Sequence, residues 1–148
     1  MKQVFKMKTM LLSALLCTAG FGVKAQVADA ANFTHCDAIV RFTALDPGTC
    51  AVLAVDPTTY LIPAGTPPPF FIAPAWLPAP PGVPFLVEAE VADAACGFPG
   101  VLVSGGPCNP PTAPLPFCPF CAPSVVDDPS PVFPPGGGGL HWPVVVHP

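Results

Sequence analysis

The stretch "FLVEAEVA", Phe85 to Ala92, has the pattern of a half-buried β-strand. Successive strand side chains point to opposite faces, so Phe85, Val87, Ala89 and Val91 lie on one side and Glu88 and Glu90 on the other. An apolar face backed by a charged one calls for a sheet packed on one side and wetted on the other. Other short segments repeat the pattern. In "DAIVRFTAL", Asp37 to Leu45, the positions Ala38, Val40, Phe42 and Ala44 share a face. "CAVLAV" (Cys50 to Val55) follows across "DPGT" (Asp46 to Thr49), whose central proline and glycine suit a type II turn, so a hairpin is expected here. "VLVS" (Val101 to Ser104) and "LHWPVVVH" (Leu140 to His147) are further strands, the latter burying Trp142, Val144 and Val146. Pro143 offers no N–H to a ladder, which predicts an edge position or a bulge for that last strand.

Beyond Gln26 no window of a dozen residues is free of proline and glycine and also shows a 3.6 period. Gln26 to Asn32 is a weak exception, read as a flexible terminus. About seven short strands punctuated by turns predict an all-β fold, a small antiparallel sandwich or open barrel. Residues 26–148 hold all 25 prolines, a composition typical of disorder, yet the chain is 51% hydrophobic, which disorder lacks. Proline and glycine clusters between apolar runs resolve the conflict as turns between strands. The expected organisation is a signal peptide over 1–25, a core β domain over 26–104, a Pro/Gly-rich disulfide-tied loop over 105–139, and a C-terminal edge strand over 140–148.

The signal assignment rests on Lys2, Lys6 and Lys8, an uncharged apolar run from Met10 to Val23, and "VKA" before Gln26. That run is about 14 residues, short of the ~20 that span a bilayer, and no later segment escapes proline long enough to try. Its removal leaves Arg41 as the single Lys or Arg against nine carboxylates, a net charge of −8. Such a chain has no phosphate-neutralising patch, which excludes nucleic acid and anionic membrane surfaces as partners. The expected location is secreted, periplasmic or extracellular, with a partner in the extracellular space or the envelope.

Six cysteines remain beyond the signal: Cys36, Cys50, Cys96, Cys108, Cys118 and Cys121. In an exported chain of this size they read as a disulfide framework with 15 connectivities. A tight "DPGT" turn would leave Cys36 roughly 30 Å from Cys50 at ~3.3 Å per residue, excluding that pair, whereas a wide loop would permit it. Local closures Cys96 to Cys108 and Cys118 to Cys121 are expected, or bonds from the latter two to Cys96 and Cys108. The motif "CPFC" (Cys118 to Cys121) also fits a thiol redox pair or half a zinc site completed by His141 or His147. A redox pair, however, needs a helix N-terminus or a cation to lower a thiol pKa, and prolines flank this motif while Asp127 and Asp128 are near it in sequence. A structural staple is the expectation.

Other chemistry-bearing residues have plainer explanations. Glu88 and Glu90 suit a solvated strand face, Asp127 and Asp128 suit turn chemistry, and His141 and His147 stand too far apart along one strand to share an ion. Ser104, Ser124 and Ser130 lack a nucleophile-elbow context. "NFT" (Asn32 to Thr34) satisfies the glycosylation sequon. No catalytic, metal-binding or cofactor-binding residue is assigned. The leading expectation is a secreted non-enzymatic β-domain with a structural or surface-interaction role, displaying Phe70, Phe71, Trp76 and Phe120. Two alternatives follow it: a ligand-binding module with Trp76, Phe70 and Phe71 as its aromatic platform, and a thiol or metal protein built on "CPFC".

Overall fold

The computed structural model describes residues 27–73, 83–129, 132–133 and 141–148. The expected signal segment, Trp76 and the glycine tract of 136–139 lie outside them. Ten strands run in chain order: β1 Val27–Asn32, β2 Ala38–Leu45, β3 Val52–Val55, β4 Tyr60–Ile62, β5 Thr66–Ile72, β6 Leu86–Asp93, β7 Val101–Val103, β8 Thr112–Pro114, β9 Val125–Asp127 and β10 His141–His147. There is no helix among the described residues. One five-stranded sheet has the order β5-β1-β10-β9-β8; the other runs β3-β2-β6-β7, with β4 pairing β2 beside β3. The two sheets pack as a sandwich, the expected all-β class.

The centre of the second sheet follows the alternation in the sequence. β2 and β6 are antiparallel over eight residue pairs, from Ala38 opposite Asp93 to Leu45 opposite Leu86. Ala38, Val40, Phe42 and Ala44 face Val87, Ala89 and Val91 within one buried cluster, while Glu88 and Glu90 lie on the other face. From the first sheet, Trp142, Val144 and Val146 enter the same core. The Trp142 indole packs edge-on against Phe42 at 5.7 Å and against Phe133 at 5.8 Å, and Phe133 in turn meets Phe85 at 5.3 Å. These rings bridge the two sheets, a geometry that adds to the stability given by buried area alone.

Four expectations are corrected. Val27–Asn32 is a strand rather than a flexible terminus, held between β5 and β10, with Ala28, Ala30 and Asn32 buried. β10 is a central strand rather than an edge, running parallel to β1 and antiparallel to β9. Pro143 is tolerated there because β9 pairs only with Val145, Val146 and His147, so the ladder on that side has ended before the proline is reached. The span 105–139 includes two strands, β8 and β9, and Val126 of β9 is fully buried. The β2–β3 turn is a wider loop than a two-residue type II turn. Asp46 Oδ1 accepts hydrogen bonds from the Gly48 and Thr49 amides, Cys50 N donates to the Asp46 carbonyl, and Cys50 takes a φ of 58°. An aspartate that caps its own following amides makes this local turn without a glycine at the left-handed position.

Candidate functional site

The register of β2 and β6 defines two ends of the sandwich. The start of β2 and the end of β6 form the tip, and the end of β2 with the start of β6 forms the base. The segment 115–124 belongs to the tip. It closes on itself where Leu115 N donates to the Ser124 carbonyl, and Cys121 N donates to the Cys118 carbonyl within it. Prolines 116, 119 and 123 restrict its backbone further.

The six cysteines among the described residues all pair: Cys36 with Cys121, Cys50 with Cys108, and Cys96 with Cys118. Of the expected alternatives Cys96–Cys118 forms, and each of the expected local closures is overturned for a physical reason. Cys36 and Cys50 flank β2 at its opposite ends, so eight strand residues hold them apart. Cys96 follows β6 at the tip, whereas β7 carries the chain back toward the base before Cys108. Cys118 and Cys121 each reach a different loop, the first the β6–β7 turn and the second the β1–β2 crossover. "CPFC" is therefore half of two staples rather than one ring. The Sγ atoms of Cys118 and Cys121 and a carboxylate oxygen of Asp93 lie within 4.8 Å of one another. Metal binding and redox nucleophilicity both need a thiolate, and disulfide sulfurs do not supply one.

With Cys118 turned inward at 3% exposure, the phenylalanines beside it turn outward: Phe117 is 83% and Phe120 76% exposed. Between this loop and the β6–β7 turn lies a cleft of about 170 Å³, lined by Asp93, Cys96, Phe98, Pro99, Pro116 and Phe117 among others. Asp93 is only 6% exposed, and burial raises its carboxyl above the ordinary value of 3.8. Beside the cleft the Arg41 guanidinium lies 3.8 Å from the Phe98 ring centroid and donates to Glu90, whose other oxygen accepts from Gly100 N. Gly100 is required there, since an added Cβ would come within 2.0 Å of the Val91 carbonyl oxygen.

Of the aromatic platform expected from Phe70, Phe71 and Trp76, the tryptophan lies outside the described residues. Phe70 and Phe71 are neighbours on β5 and so face opposite ways, the first packed on the core and the second 61% exposed. Phe98 and Phe117 were not singled out by sequence alone. The other candidates are structural. Glu88 accepts a hydrogen bond from the Asn109 amide, and its carboxyl is raised chiefly by burial; Glu90 serves Arg41. Asp127 accepts from Thr112 and sits 2.8 Å from His147 Nε2, and these bonds, Thr112 first, hold it below 3.8. The Asn32 side chain is buried, and its amide nitrogen donates to the Cys36 and Ile62 carbonyls, so in the folded protein the sequon nitrogen is committed. Comparisons with protein-family models, curated proteins and solved structures find no match for this chain.

Proposed function

We propose that the chain is an exported, non-enzymatic interaction domain whose disulfide-tied tip presents Phe117 and Phe120 to a partner in the extracellular space or the envelope. The observation that carries this is the exposure of two large aromatic side chains, 83% and 76%, on a ten-residue segment tied to two other loops. Exposed apolar groups held rigid lose little entropy on docking, and aromatic anchors dominate interface energetics. The signal-like start supports export, and three disulfides suit an oxidising compartment. No helix among the described residues is long and apolar enough to cross a membrane.

The test is sedimentation of the purified oxidised protein with washed envelopes of the producing cell. The parent protein should begin at Gln26 and bind saturably, and Phe117→Ser/Phe120→Ser should lose that binding at an unchanged melting temperature. Equal binding by the double variant, or none by the parent, overturns the proposal.

A further inference from the structure

Burying a carboxylate is costly unless a donor or counter-charge compensates it. Asp93, at 6% exposure, lines the tip cleft, and among the described residues no hydrogen bond or neighbouring charge offsets the burial of its carboxyl. Its backbone carbonyl is occupied by the Cys96 and Gly97 amides, which fixes the turn around it but leaves the side chain without a donor. Among the described residues there is no lysine or arginine to spare. Arg41 is the single Lys or Arg beyond residue 24, and it is engaged by Glu90 and the Phe98 ring. Water aside, a counter-charge for this carboxyl has to come from outside the described residues.

The lining says what kind of partner. Phe98, Pro99, Pro116 and Phe117 give apolar walls, and Asp93 is the sole ionisable group among the residues that line the cleft. A calcium ion needs six to eight oxygen ligands, roughly, and one carboxylate among rings and prolines does not provide them. A volume of about 170 Å³ is below the ~300 Å³ where small-molecule pockets begin, so one side chain or head group fits and a larger ligand does not. A carboxylate beside an aromatic wall suits a guanidinium as well as an ammonium, and in a cleft of about 170 Å³ it is the smaller, compact ammonium that fits. We infer that the tip cleft binds a primary ammonium group carried on a short apolar stem, with Asp93 as counter-ion and Phe98, Pro116 and Phe117 as walls. The acidic surface around it, net −8 beyond residue 25, raises the local concentration of such a ligand. This site rests on the interaction role proposed above and names the chemistry of the partner: a lysine side chain of a peptide, or a free small amine.

The probes are n-butylammonium, its neutral counterpart n-butanol, and the peptide acetyl-Gly-Lys-Gly-amide, each titrated into the oxidised protein while the amide resonances of Asp93, Cys96, Gly97 and Phe98 are followed. Saturable shifts with butylammonium, and none or about tenfold weaker binding with butanol, are expected from a charge-assisted hydrogen bond in a half-buried site. Asp93→Asn, of the same size, should weaken butylammonium binding by about the same factor. Binding of the peptide as well identifies a lysine side chain as the source, and binding of butylammonium alone identifies a free amine. Equal affinity for butanol, no saturable shifts with the amine, or unchanged affinity in Asp93→Asn overturns the inference; the first two contrasts need no variant to fold. Loss of amine binding with envelope binding intact removes only the cleft. Loss of envelope binding with amine binding intact removes the interaction role instead.

Discussion

The two ends of the sandwich are stapled differently. At the base a single disulfide, Cys50–Cys108, joins the β2–β3 turn to the β7–β8 loop, where Asp46 caps its own turn and Gly106 packs on Leu86. At the tip two disulfides converge on one segment, and it is this end that exposes two phenylalanines and buries an uncompensated carboxylate. Both exposed rings and a lone buried charge are unfavourable in a free domain. At the tip two covalent ties restrain the backbone that carries these groups, whereas the base is tied once.

The largest effects come from cutting the staples. Cys36→Ser/Cys121→Ser releases a separation of 85 residues and should cost about 4–5 kcal/mol by chain entropy, whereas Cys50→Ser/Cys108→Ser releases 58 and should cost about 4. Urea melts give the totals, and amide exchange separates the ends: only the first variant should lose protection across 115–124. Next come the glycines. Gly100→Ala at the tip drives Cβ against the backbone oxygen of Val91 and should cost about 2–3 kcal/mol; Gly106→Ala at the base meets the mobile end of Leu86 and should cost about 1.

Acid should separate the ends by sign. At the base, hydrogen bonds from Thr49 and Gly48 lower the Asp46 carboxyl, so its contribution is complete above 3.8 and is lost as pH falls through the folded value. At the tip, burial raises Asp93, so the folded state favours its protonated form; that contribution is present below 3.8 and is lost as pH rises through the folded value. In melting curves from pH 7 to pH 3, Asp46→Asn should flatten the acid-side fall and Asp93→Asn should remove some of the rise seen on leaving neutrality. The smallest effect belongs to Phe117→Ser/Phe120→Ser, within about 0.5 kcal/mol of the parent, as for surface substitutions that touch no packing. A larger loss would mean that the rings support the tip rather than being displayed by it.

What the sequence revealed was local. The faces of Phe85 to Val91, of Ala38 to Ala44 and of Trp142 to Val146 follow from alternation, and the structure places all three in one core. What it hid was long-range. Val27–Asn32, half of it alanine, has little strand propensity of its own and becomes a strand because β5 and β10 supply ladders on both sides. The cysteine pairing depends on which loops share an end, and that follows from strand direction rather than spacing. Pro143 pointed to an edge because the early end of β9 has no local signature. At the site, the display of Phe120 was legible, but Phe117 was not, and Asp93 and Phe98 reach the cleft only through the β6–β7 turn.

The parallel pairing of β1 with β10 also has a mechanical meaning. Val27 lies beside His141 and Asn32 beside Val146, so the front of one strand and the rear of the other are at opposite ends of the pair. Tension applied to the chain on either side of the domain would drag these strands past each other lengthwise. All six register positions would then resist together, where an antiparallel hairpin pulled from its open end would come undone rung by rung. A fold closed in this way is loaded in shear rather than unzipped.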